Sequence, residues 1–157
     1  MTVKLDRIDC RLLEELQRDS AQSQRDLAET VGLSQNACWR RLKALEAAGA
    51  IRNRTVVLNR ERVGAGLVVI MMIRTRHHSE SWLKTFRRHV SSIPEVVDFY
   101  RIGGDYDYLI KVATRDMASY DAIYRRLISQ VELETVTSYF AMEAIEEQRP
   151  IRLAAGG

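Results

Sequence analysis

Four residues, Val31-Gly32-Leu33-Ser34, constrain this chain more than any others. An amphipathic segment stops at Gly32, and glycine accepts the left-handed backbone that a sharp helix stop requires. Leu33 is an apolar plug for the turn. Ser34 has the side-chain oxygen that caps the start of a following helix. Two helices joined this tightly must cross at a steep angle, as in a helix-turn-helix. Ser23 with Asp26 reads as a short-acid capping box opening the first of the pair, with Leu27, Ala28 and Val31 turned inward. The second runs to about Ala48, where Gly49 stops it. Ahead of both, residues 5–19 place Leu5, Ile8, Leu12, Leu13 and Leu16 at spacings of three and four, the pattern of a third helix. Asp6 is its expected N-cap with Asp9 closing the box, and Leu5 and Cys10 are placed as a hydrophobic staple.

The helix beginning after Ser34 keeps Cys38, Leu42 and Leu45 on one side and exposes Gln35, Asn36, Trp39, Arg40 and Lys43 elsewhere. In a helix-turn-helix the second helix can lie in the major groove with its N-terminal residues nearest the base edges. Asn and Gln bond adenine in bidentate fashion, and Arg does the same to guanine. Ser34, Gln35, Asn36, Trp39, Arg40 and Lys43 are therefore the candidate DNA contacts. Residues 50–59, AIRNRTVVLN, read as an extended wing that directs Arg52 and Arg54 to backbone phosphates. Arg41 lies nearer the core; it either joins the DNA contacts or pairs with Glu46 or an acid of the first helix. The charge distribution agrees with a polyanionic partner. Residues 1–60 hold 11 Lys and Arg against 8 Asp and Glu, whereas the rest of the chain holds 13 of each.

After Asn59 the pattern changes. Residues 60–66, RERVGAG, read as a hinge. Strands are expected at 67–76, 96–102, 107–114 and 135–142, with helices at 80–92 and after Asp116. That order, β-α-β-β-α-β, is the split βαβ unit of ferredoxin-like folds, whose helices cover one sheet face. Val69, Met71, Phe99, Leu109, Phe140 and Met142 are too many apolar residues for a polar-backed sheet, which points to a homodimer with sheets packed face to face. The turn Gly103-Gly104-Asp105-Tyr106-Asp107 is a hairpin that can also form a nest of amides for a carboxylate, with an aspartate beside it for an ammonium. An α-amino acid needs both. Thr135, Thr137 and Ser138 on the neighbouring strand are further hydroxyls.

Other features point away from alternative chemistry. Cys10 and Cys38 lie inside helical patterns and read as small buried hydrophobes, with no metal-binding spacing. His77 and His78 read as a solvated loop, and Met71, Met72, Met117 and Met142 as core filling. There is no nucleophile–base pair, paired buried carboxylate or phosphate-cradling loop, so no catalytic residue, metal or cofactor is expected. The longest apolar run, residues 67–73, is too short to span a bilayer, and the N-terminus lacks an apolar signal region. A cytoplasmic, nucleoid-associated location without membrane contact is expected.

Taken in order, LDRIDCRLLEELQRD, DLAETVGLS, CWRRLKALEAAGAI, the strand after Gly66, IPEV at 93–96 and GDYDYLIKV at 104–112 resemble the Lrp/AsnC, or feast/famine, family of prokaryotic transcription regulators. The resemblance implies an α+β chain. An N-terminal winged helix-turn-helix domain over 1–59 precedes the 60–66 hinge, and a ferredoxin-like βαββαβ domain of the RAM/ACT type over 67–157 senses an amino acid and oligomerises. It implies double-stranded DNA as partner, a homodimer assembling to tetramers or octamers, and an amino-acid effector beside Gly103, Gly104, Asp105, Tyr106 and Asp107. HHSESW at 77–82 and SYFAMEAI at 138–145 are similar to a branch regulating cysteine or other sulfur amino-acid catabolism. Gly103 departs from the family, where Thr or Ala is usual, and removes a hydroxyl donor. The competing reading is an architectural DNA-wrapping protein with little sequence preference or ligand response.

Overall fold

The computed structural model describes residues 2–156, and their contacts divide the chain into two compact units. The first comprises residues up to Val57 together with 146–156; the second runs from Leu58 to Ile145. The last residues make contacts within the first unit, where the Gln17 amide donates to the Ile151 carbonyl at 3.0 Å and accepts from its N–H at 2.7 Å. The Gly156 N–H also reaches the Leu5 carbonyl at 3.1 Å.

The first unit is built on α1 (Arg7–Arg18), α2 (Gln24–Val31) and α3 (Gln35–Ala47). All three expected N-caps are present. Asp6 and Asp9 form a reciprocal capping box on α1. Ser23 accepts from the Asp26 N–H at 3.1 Å, but Asp26 answers by accepting from the Ser23 hydroxyl rather than from its backbone, so that box is incomplete. Ser34 accepts from the Ala37 N–H at 3.3 Å. Gly32 has φ +74°, and the Leu33 N–H closes back on the Ala28 carbonyl at 2.8 Å, a Schellman stop. A Cβ at Gly32 would meet nothing within 4 Å, so substitution there carries only backbone strain. Gly32→Ala should therefore lower the stability of this unit by about 1–2 kcal/mol in chemical denaturation. Leu12, Leu27, Ala28, Val31, Cys38 and Leu42 form the core, with Ile8, Leu16, Leu33 and Ile51 packed around them. Residues 51–59 form no helix and pair with no strand, so the expected wing is not a hairpin within one chain.

The second unit contains β1 (Leu67–Arg74), α4 (Glu80–Ser91), β2 (Val96–Arg101), β3 (Tyr108–Thr114), α5 (Met117–Ile128) and β4 (Thr135–Phe140). The sheet order is β2-β3-β1-β4 with all neighbours antiparallel, the split βαβ arrangement. Residues 60–64, expected as a hinge, form a turn in which the Asn59 side chain accepts from the Arg62 N–H at 3.1 Å.

Strand alternation assigns the faces. Val69, Met71 and Ile73 of β1 and Tyr108, Ile110 and Val112 of β3 pack with Phe86 and Val90 of α4 and Tyr120, Ile123 and Leu127 of α5. The opposite face carries Val68, Ile70, Met72, Tyr100, Leu109 and Tyr139, in register across four strands. Several residues expected to supply an excess of apolar surface belong elsewhere. Val69, Met71 and Phe99 face the helices, and the Phe140 ring meets Tyr120 of α5 edge-on at 5.2 Å. Met142 lies past the end of β4 and is 96% exposed, and Met117 is 55% exposed in the first turn of α5, so neither fills a core. Leu109 alone of the six lies on the open face, where the other apolar residues named stand beside Thr137 and the Lys111–Asp98 pair.

Asp116 caps α5 through the Ser119 N–H at 2.8 Å. That backbone bond, with the Ser119 hydroxyl and the Arg115 guanidinium, lowers its carboxyl to about 2. A depressed carboxyl stabilises the fold above its unfolded value near 4, and the contribution disappears as pH falls through about 2. Acid titration of Asp116→Asn should thus show a shallower loss of second-unit stability between pH 4 and 2 than the unsubstituted chain.

Candidate nucleic-acid interface

Leu42 and Leu45 bury one side of α3, and Cys38 is fully enclosed. Burial raises the Cys38 thiol above its ordinary value, which keeps it protonated and unreactive. The remaining arc presents Ser34, Gln35, Asn36, Trp39, Arg40 and Lys43 to solvent. Among the described residues, the side chains of Gln35, Asn36 and Arg40 make no hydrogen bond or ion pair. Trp39 is 48% exposed although it is the largest side chain on the helix. Three donor- or acceptor-rich side chains and one indole are thus held free on a capped, packed helix.

Its cationic neighbours are arranged differently. Arg41 donates to Asp6 at 2.6 Å and Asp9 at 2.8 Å, tying α3 to the N-terminus of α1. This settles its sequence alternatives in favour of the first-helix acids. The Asp9 N–H, followed by the Arg41 guanidinium, holds the Asp6 carboxyl below the usual range. Lys43 and Arg54 both reach Glu46, at 2.8 and 3.1 Å. Their charges are partly neutralised, and the Lys43 bond leads the lowering of the Glu46 carboxyl. Arg52 is exposed with no partner among the described residues. Ser34 uses a lone pair on the helix start, which leaves its hydroxyl proton free to donate.

In the second unit the 102–107 turn closes with the Ile102 N–H on the Asp107 carbonyl at 2.9 Å. Gly104 has φ +122°, a conformation that favours glycine. The amides of Gly103, Gly104, Asp105 and Tyr106 have no acceptor among the described residues, so the expected nest is open. The Asp107 N–H donates to the Ile73 carbonyl and its Oδ2 accepts from the Thr75 N–H, both at 2.8 Å, so it also fastens the sheet end. The Asp105 carboxylate remains unpartnered. Arg74, at the end of β1, donates to the Asp105 carbonyl at 2.7 Å and lies 5.5 Å from the Tyr106 ring centroid. Thr137 of β4 shares a hydrogen bond with the Tyr106 hydroxyl at 3.4 Å, and Tyr106 pushes the neighbouring Tyr139 phenol above its ordinary value. The signal for both Arg74 and Tyr139 was strand alternation extended across paired strands, which needs the register. Ser138 instead bonds the Tyr120 hydroxyl on the helix side. His77 is exposed and stacks 6.0 Å from Trp82. Among the described residues, no group of three or more His, Cys, Asp and Glu is placed to hold a metal, and no helix is long and apolar enough to cross a membrane.

Comparison with known proteins decides what this arrangement is. Residues 5–52 match the winged helix-turn-helix DNA-binding model, and residues 68–151 match the Lrp/AsnC ligand binding domain model. The chain belongs to the Lrp/AsnC family. It is 45% identical over 143 residues to the DNA-binding transcriptional activator DecR of Escherichia coli, with 90% of this chain and 94% of that one covered. An AsnC family transcriptional regulator from Agrobacterium tumefaciens shares 47% identity and superposes with a TM-score of 0.88 over 91% of this chain and 94% of the other. A transcriptional regulator from Neisseria meningitidis, solved as its L-Met complex, shares 29% identity with a TM-score of 0.88 over 94% and 96% of the two chains. This Lrp/AsnC protein is accordingly a DNA-binding transcription regulator, not an enzyme, and its α+β architecture is that of the family.

Proposed function

We propose that this Lrp/AsnC regulator reads operator DNA with the solvent face of α3 and changes its assembly when an amino acid binds at the 102–107 turn. The observation that carries the first half is the unpartnered set Gln35, Asn36, Trp39 and Arg40 on a helix fixed from behind. Gln35, Asn36 and Arg40 contact bases, Trp39 packs along the groove edge, and Ser34 and Arg52 bond phosphates. Lys43 and Arg54 reach phosphates by exchanging Glu46 for the duplex. The protein works in the cytoplasm, at the nucleoid.

The second half draws on the open amides at Gly103, Gly104, Asp105 and Tyr106, the free Asp105 carboxylate and the L-Met complex of the Neisseria relative. The effector's carboxylate bonds the amides and Arg74, and its ammonium faces Asp105. Asp107 supports the turn. The apolar sheet face pairs two copies into a homodimer, and dimers join into tetramers or octamers, so that the spacing of reading helices follows the assembly. A thermal-shift screen of the twenty amino acids on the purified full chain tests this, because a ligand that binds the native state raises apparent stability. Sulfur-containing amino acids lead the expected hits. One or a few amino acids should raise the melting temperature, and Asp105→Ala should remove that shift. A screen in which none of the twenty shifts the midpoint contradicts the sensing half.

A further inference from the structure

A second cleft in the sensing unit has a chemistry that neither α3 nor the 102–107 turn accounts for. It is about 270 Å³ in volume and is lined by Arg87 and Ser91 of α4, Phe99 and Arg101 of β2, and Tyr108 of β3. None of the five belongs to the 102–107 turn. Three arginines of this unit hold carboxylates, Arg76 with Glu134, Arg115 with Asp116 and Arg125 with Asp121, and Arg74 and Arg126 hold carbonyls. Arg87 and Arg101, like Arg62 and Arg88, have no carboxylate partner among the described residues, and no acid lines the cleft.

Tyr108 is the second, independent observation. It is 4% exposed, with its ring packed against Phe86, Phe99 and Trp82. Its hydroxyl has no hydrogen-bond partner among the described residues and is not buried with the ring, so it is free to bond what enters the cleft. The exposed Ser91 hydroxyl is unpartnered as well. Two guanidinium forks, a phenol and a hydroxyl thus border one opening with no carboxylate among them, beside the apolar wall of Phe99.

We propose that this cleft binds the compact oxyanion of a small metabolite, a carboxylate or a phosphate, whose apolar part lies on Phe99. Each guanidinium gives charge-assisted bonds, the pairing for which the planar fork of Arg is suited. Tyr108 and Ser91 complete the ring of donors. The site is independent of the amino-acid reading, since it shares no residue with the turn.

The test is calorimetric titration of the full-length protein with inorganic phosphate and, separately, phenylacetate, at ionic strength held constant with chloride. Saturable binding of phosphate alone identifies a phosphate site, and binding of phenylacetate alone identifies a carboxylate site. Arg87→Gln and Arg101→Gln should each weaken the effective probe by about tenfold or more, as expected for bonds to a charged group. Tyr108→Phe should weaken it several-fold while the unliganded melting temperature stays close to that of the parent. Three results overturn the proposal. In the first, neither probe binds saturably. In the second, binding survives both arginine substitutions unchanged. In the third, those substitutions leave the probes alone but dissociate the oligomer or flatten the salt dependence of DNA binding, which assigns the arginines to a second copy or to DNA.

Discussion

Arg40→Ala lowers affinity for a selected operator by about 1–3 kcal/mol while affinity for random duplex stays nearly constant. The expectation follows from where Arg40 stands. It lies on the exposed arc of α3 with no partner among the described residues, so its removal breaks nothing in the fold and should change stability by less than about 0.5 kcal/mol. Its fork is free to engage a guanine edge, and that engagement distinguishes one sequence from another. The neighbouring residue provides the internal control. Arg41 is held by Asp6 and Asp9, so Arg41→Ala should loosen α3 against α1 by about 1 kcal/mol or less and lower affinity for operator and random duplex together. Filter binding or fluorescence anisotropy on both duplexes at one salt concentration separates the two patterns. Equal losses from Arg40→Ala on both duplexes would make it a phosphate contact and return the architectural reading to favour.

Phe86→Ala destabilises the sensing unit by about 3–5 kcal/mol in chemical denaturation, the range for truncating a fully buried aromatic. Phe86 is 0% exposed at the centre of an aromatic cluster. Trp82 stacks on it at 4.9 Å, and Tyr108 and Phe99 meet it edge-on at 5.0 and 5.5 Å. Three neighbouring rings cannot all collapse into the vacated space, so much of the cavity should persist. The two units have separate cores, and the substitution should shift the unfolding of the second while the helical unit keeps its own midpoint. A loss below about 1 kcal/mol would show that the cluster repacks freely and that this core is less specific than its geometry indicates.

The helices were legible because their punctuation is local. Asp6, Ser23, Ser34 and Asp116 each act within three residues of themselves, and Gly32 and Gly49 need only their own backbone. The order of strands and helices was legible for the same reason. What failed required register or distance. Phe99 and Phe140 turn toward the helices through pairing with β3 and β1, and β2 has a register shift between Val96 and Asp98 that alternation cannot foresee. The bond that the Thr75 amide gives Asp107 joins residues 32 apart in sequence. The Gln17–Ile151 clasp spans 134 residues between segments that carry no recognisable pairing signal. Met117 and Met142 were assigned inward by hydrophobicity alone, which places apolar residues only on average. On α3 the side chains were correctly placed on the exposed arc, yet the sequence could not show that Lys43 and Arg54 share one acid while Arg40 has none.

The central claim, that α3 reads base edges in the major groove, is tested most directly by purine analogues. Replacing each guanine or adenine of a selected operator by its 7-deaza form removes the N7 acceptor that Arg, Asn and Gln use, and leaves base pairing intact. Affinity should fall about tenfold at one or more positions in each half-site, and at one guanine the loss should vanish in Arg40→Ala. An operator that tolerates the analogue at every purine without loss would place this helix face somewhere other than the groove.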